Sequence, residues 1–252
     1  MKLILTGVTG AAGIQIFRTA VLDSTITKIT VLSRRALPSW MDIPQNDKTE
    51  VVVLKDFMDY PSDLPVRLVD HDACIWALGK SSVGLSDEEY TRITYDYTMS
   101  FVKQLEEGGV KNRVGEPFRI VYISGEGADQ SEKSNVKFAR IKGRTEKALL
   151  DLPAISGIKS SIIRPAYFFP SRDHPSDRLN IRSSTARALD CVAAPILRAV
   201  APSMYTPIEG MGLFAVEVAK GRWHEENLFR NTRMVELVKS MEKAGAERRQ
   251  EL

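Results

Sequence analysis

The sequence predicts a doubly wound, parallel α/β sheet with a small, mostly helical C-terminal cap, on three observations. The chain opens with a short apolar run, a glycine-rich turn and a segment of helical period. Apolar, strand-like runs then alternate with helical segments six times. Beyond Arg164-Pro165 the chain reads as irregular to about Asp177 and then helical. Such alternation buries a parallel sheet between two layers of helices. A chain of 252 residues fits one such domain, with residues 166–252 forming the cap on the substrate side.

The elements justify that reading in order. Lys2 to Thr6 reads as a buried strand. Gly7-Val-Thr-Gly-Ala-Ala-Gly13 follows, and Ile14 to Leu22 is helical. A strand, a glycine turn and a helix make the front half of a dinucleotide-binding unit, in which a pyrophosphate lies against the turn and the helix N-terminus. That assigns Gly7, Thr9, Gly10, Ala11, Ala12 and Gly13 to cofactor binding. Ile26 to Ser33 is the second strand, ending in Ser33-Arg34-Arg35. An NAD-specific site usually places a carboxylate here, for the ribose 2′-hydroxyl. Two guanidinium groups suit a 2′-phosphate instead, so NADP(H) is the expected cofactor, with Arg34 the main contact and Ser33 or Arg35 assisting.

Glu50 to Leu54 is a third strand. Asp56-Phe57 after it suits either the edge and face of an adenine or the start of a turn. Pro61 to Leu68 reads as a short helix, and His71 as a loop histidine. Ala73 to Leu78 is the fourth strand, with Ala77-Leu78-Gly79 at the ligand-binding edge of the sheet. Ser86 and Glu89 form a capping box for a helix reaching Glu107. Phe118 to Ile123, the fifth strand, leads to Ser124. Asn135 to Leu150 is helical and carries Lys142, and Ser160 to Arg164 is the sixth strand. In the cap, Arg178 to Ala201 reads as helical with a break near Pro195, and Pro207 to Lys220 and Asn231 to Ala244 as further helices. Phe168, Phe169, Leu179, Val200, Met204 and Tyr205 are expected to line an apolar pocket. Residues from Glu247 read as a frayed polar end.

Composition narrows the classes. Hydrophobic residues at 43% and charged residues at 27% are those of an ordinary globular protein, and a formal net charge of +3 gives no basic face for nucleic acid. Two cysteines without metal-site or redox spacing, and an apolar start too short for a signal core, lead to the expectation of a cytoplasmic setting. No metal site and no membrane span are expected. Val235, Leu237, Val238 and Met241 at helical spacing form a docking face, onto the domain or onto a second copy as a homodimer.

Gly7 to Gly13, Ser124 after the fifth strand, Lys142 in the next helix and Arg164-Pro165 together resemble the short-chain dehydrogenase/reductase superfamily. The similarity is to its extended and atypical branches, which include NmrA-like, sugar-nucleotide epimerase-like and Tat-interacting-protein-like members. Ser33-Arg34-Arg35 and Ala77-Leu78-Gly79 add to the likeness, which runs from Met1 to about Pro170. It implies that Ser124 meets a substrate carbonyl, that Lys142 holds the nicotinamide ribose, and that Pro165 borders the cofactor.

The resemblance also implies a tyrosine four residues before the lysine as general acid or base. That position is Phe138, which has nothing to titrate. Tyr167 is the preferred substitute, with Glu126 a second candidate. An NADP(H)-dependent oxidoreductase acting on a small apolar carbonyl or enone is the leading expectation. A non-redox isomerase or cyclase, and a protein that binds NADP(H) without turnover, are the alternatives.

Overall fold

The computed structural model describes residues 1–250, and the side chains of all of these except 192–194, 196–200, 202 and 248–250. Seven strands make one parallel sheet: β1 (Lys2–Thr6), β2 (Lys28–Ser33), β3 (Thr49–Val53), β4 (Ala73–Trp76), β5 (Phe118–Ile123), β6 (Ile158–Arg164) and β7 (Leu228–Arg230). Their spatial order is β3-β2-β1-β4-β5-β6-β7. The order reverses between β1 and β4, where open α/β sheets bind ligands beyond the strand C-termini.

Strand alternation divides the core between the two faces. Leu3, Leu5, Ala73 and Ile75 point to one face, covered by α1 (Ala11–Leu22), α8 (Ile208–Ala219) and α9 (Asn231–Gln250). Ile4, Cys74, Trp76 and Ile120 point to the other, covered by α2 (Leu64–Val69), α4 (Tyr97–Glu107) and α5 (Lys137–Leu150). A short α3 (Asp87–Thr91) begins at the expected capping box, and a π-helical stretch, Arg92–Asp96, joins it to α4. The cap contributes α6 (Pro175–Ile181) and α7 (Ser184–Val200).

The expected architecture is present, with local corrections. The glycine-turn helix starts at Ala11 because Gly10 serves as its N-cap. β7, only three residues long, extends the sheet beyond the six expected strands; a run that short carries no periodicity to read. The first cap helix begins at Pro175 and the break falls at Arg182-Ser183, while α7 runs through Pro195. The polar terminus is helical as far as Gln250; residues 251–252, and the side chain of the expected pocket residue Val200, lie outside the described residues.

His71 is buried rather than lying on a surface loop: its Nε2 is 2.8 Å from Thr30 Oγ1 and its Nδ1 is 3.0 Å from the Arg67 carbonyl. Burial lowers its pKa, and the ring joins α2 to β2. The cap is fastened to the sheet layer by a buried ion pair. Arg18 of α1 reaches both carboxylate oxygens of Asp177 in α6, at 2.5 and 2.9 Å, and donates from Nε to the Asp42 carbonyl at 2.7 Å.

Candidate functional site

At the C-terminal edge of the sheet, a cleft of about 1020 Å³ lies between the strand ends and the cap. Its first wall is the glycine turn. Gly7 has φ +67°, and a Cβ there would lie 2.3 Å from the Ala77 carbonyl oxygen. A Cβ on Gly13 would lie 2.1 Å from the Gly7 carbonyl oxygen. These two glycines are therefore required by the tight packing of turn on strand and helix on turn. Gly10 plays a different part: it borders the cleft with Ala11, Ala12 and Gly13. No side chain caps α1 and no acidic residue occupies its first turn, so its unpaired N–H groups point at the cleft with the positive end of the helix dipole.

The second wall holds Ser124 and Lys142. Strand β5 delivers Ser124 to the edge, where its N–H bonds the Ile163 carbonyl at 2.8 Å. Lys142 reaches across from α5, donates from Nζ to the Ile123 carbonyl at 2.8 Å and lies 4.6 Å from the Tyr122 ring centre. Burial lowers its pKa to about 8, against the opposing pull of nearby Glu146. Ala77, Gly79 and Pro165 also line the cleft, so nine of the expected site residues converge there with Tyr167 as a tenth.

Phe138 borders the cleft as well, packed on Gly125: a Cβ on Gly125 would fall 2.7 Å from the ring. Tyr167 borders the cap side and is 43% exposed, but its hydroxyl donates to Asp190 at 3.1 Å and its ring packs edge-on to Phe169. Glu126 is committed elsewhere. Burial would raise its pKa, but bonds from Arg230 and the Asn231 N–H prevail and lower it.

Other expected residues stand apart from the cleft wall. Ser33 ends β2, and Arg34 and Arg35 follow it, exposed and without an ion pair among the described residues. Asp56 accepts from Arg92 at 2.7 Å and from the Met58 N–H at 3.0 Å; these contacts lower its pKa. The Phe57 reading needs correction. Its ring is fully buried against Trp76 and Tyr97 and is unavailable to stack on an adenine. Packing into the core beside Trp76 and Tyr97 accounts for its position. Leu78 packs against the same core and donates its N–H to Thr6 Oγ1 at 3.2 Å.

The cap wall is less apolar than expected. Phe168 and Met204 line it, but so do Arg182 and Ser203, while Phe169 is buried behind Tyr167 and Leu179 faces outward. The sequence reading also missed Glu146, one helical turn beyond Lys142. It is fully buried, and nothing in its sequence position distinguishes it from a solvated helix residue. Among the described residues no group of three or more His, Cys, Asp or Glu is placed to hold a metal ion, and no helix is long and apolar enough to cross a membrane.

No family model matches the chain. It is similar to the leucinostatins biosynthesis cluster protein T of Purpureocillium lilacinum, at 27% identity over 152 residues, covering 60% of this chain. The match spans about half, 52%, of that protein's length. It is also similar to protein fmp52, mitochondrial, of Emericella nidulans, at 27% identity over 171 residues, covering 67% of each chain. Relatives from Candida glabrata and Scheffersomyces stipitis are likewise named mitochondrial, which overturns the expectation of a cytoplasmic setting. Short apolar starts and cysteine spacing were too weak a basis for it.

Among solved structures, a 3-oxoacyl-[acyl-carrier protein] reductase from Brucella melitensis in complex with NAD superposes with a TM-score of 0.64 at 14% identity, covering 93% of this chain and 97% of that one. The Pseudomonas aeruginosa RhlG/NADP active-site complex superposes with a TM-score of 0.62 at 17% identity, covering 90% and 93%. The seven-stranded parallel sheet, its switch point and its glycine turn thus make the same Rossmann-like α/β fold as these two structures.

Proposed function

We propose that this chain is a nicotinamide-dinucleotide oxidoreductase that prefers NADP(H) and acts on a small, largely apolar substrate without a phenol at position 138. One observation carries the reading: the uncapped N-terminus of α1, Ser124 and Lys142 open into a single cleft. Backbone N–H groups at Ala11 to Gly13 would hold the pyrophosphate, and the Lys142 ammonium would sit toward the ribose. Arg34, with Ser33 and Arg35, would take the 2′-phosphate. Asp56 would accept from the adenine edge. When bound, the cofactor supplies or removes a hydride.

The protein's own part is to orient and to manage protons. Phe138 cannot transfer one, and the Tyr167 hydroxyl is held by Asp190. The same phenylalanine favours a second reading, in which the protein binds NADP(H) without turning it over.

Binding of NADPH and NADH by thermal shift, followed by NADPH oxidation over a panel of carbonyls and enones, separates these readings. Binding with turnover supports the first, and binding without turnover the second. Absence of binding defeats both. Arg34→Ala should weaken NADPH roughly tenfold or more while leaving NADH nearly unchanged; equal losses would contradict the cofactor assignment.

A further inference from the structure

The hydroxyl of Ser124 does not point its proton into the cleft. It donates to Oε1 of Glu146. Glu146 is fully buried and accepts from three other N–H groups: Arg164 Nε at 2.9 Å to Oε1, Arg164 Nη2 to Oε2, and Gln130 Nε2 at 2.9 Å to Oε2. The Arg164 guanidinium donates to both oxygens in the forked arrangement typical of a carboxylate, and a carboxylate only accepts. The serine proton is therefore committed. What Ser124 has left to offer the cleft is a lone pair.

That reverses the role implied by the superfamily resemblance, in which the serine donates to a substrate carbonyl. A carbonyl facing Ser124 would meet oxygen against oxygen, and Phe138 beside it offers no donor either. A hydroxyl at the same place would donate to Oγ and complete its bonding. Four donors around Glu146 hold its carboxylate in place, and through it the orientation of the serine hydroxyl.

We propose that Glu146 is a positioning residue that sets Ser124 as a hydrogen-bond acceptor, so that the cleft selects the hydroxyl form of an apolar substrate over its carbonyl form. The word substrate rests on the oxidoreductase reading; the acceptor role of Ser124 does not.

The test uses matched pairs of small ligands, 1-phenylethanol with acetophenone and cyclohexanol with cyclohexanone, titrated by saturation-transfer NMR against the whole protein. Wild type should hold each alcohol roughly tenfold more tightly than its ketone. Ser124→Ala should abolish that ratio and Ser124→Thr, which keeps the hydroxyl, should restore it. In Glu146→Gln the amide can donate to Oγ, and the ratio should shrink or invert.

Because Glu146→Gln leaves the half-buried Arg164 without its counter-charge, the Ser124 pair of variants decides the matter if that protein does not fold. An infrared difference spectrum of Ser124→Ala against wild type should show a carboxylate stretch displaced by loss of a donor. Equal binding of alcohol and ketone by wild type, binding of neither, an unchanged ratio in Ser124→Ala, or an unshifted carboxylate band would each overturn the proposal. NADPH binding is measured alongside. Its failure, with the alcohol preference intact, would defeat the oxidoreductase reading alone.

Discussion

Phe138 and Lys142 lie one helical turn apart on α5, and both face the cleft. The phenylalanine ring already occupies the place from which a phenol would act, against the open face of Gly125. Phe138→Tyr should therefore raise NADPH-dependent carbonyl reduction by about 100-fold or more, read as initial rates on a ketone panel. No change would mean that more than the phenol is missing. Lys142 carries a cost. Its folded pKa of about 8 lies below the unfolded value near 10.5, so the unfolded chain binds more protons between these values and stability rises with pH there. The penalty is fully present below about pH 8. Lys142→Met should stabilise the protein by on the order of 1–3 kcal/mol at pH 7, and chemical denaturation should show the gain shrinking as pH climbs toward 10.5. A gain that grew with pH would refute the assignment.

Elements were legible in the sequence where local chemistry was strong. Ser86 and Glu89 marked a helix start that the structure reproduces with both reciprocal bonds, Glu89 N to Ser86 Oγ at 3.1 Å and Ser86 N to Glu89 Oε2 at 2.9 Å. Ser86→Ala should cost about 1 kcal/mol and lower the melting temperature by roughly 2–4 °C in calorimetry. Gly7 to Gly13 was legible because steric demands on a turn leave glycine as the sole option at Gly7 and Gly13. β7 was not, since Leu228–Arg230 gains strand character only from its register with Ile162, Ile163 and Arg164. Nor was Glu146: a charged residue in a helix reads as solvated until its fold-distant partners Ser124 and Arg164 are known. Asp56-Phe57 left two readings open, and burial of the ring decides against its part in the ligand one.

For the molecule as a whole, the cap is not a loose appendage. Arg18 and Asp177 are both buried and bonded through two parallel hydrogen bonds, joining the first helix to the first helix of the cap. Removing one partner strands a charge away from water, so Arg18→Met should destabilise the protein by about 3–5 kcal/mol by urea denaturation. The double change with Asp177→Leu should recover most of that loss. If the single and double variants were equally unstable, packing rather than charge would hold the cap.

The division of the core has a consequence for how the protein is made. Leu3, Leu5, Ile14, Phe17 and Val21 belong to the first strand and helix, yet they pack with Met211, Phe214 and Val218 of α8 and with Met234 and Val238 of α9. A chain synthesised from its N-terminus emits the glycine turn well before the helices that cover it. Until they are made that apolar surface has no native cover, and about 200 residues intervene. The glycine-turn unit therefore completes its core only after α8 and α9 have been made, although it precedes them in the chain.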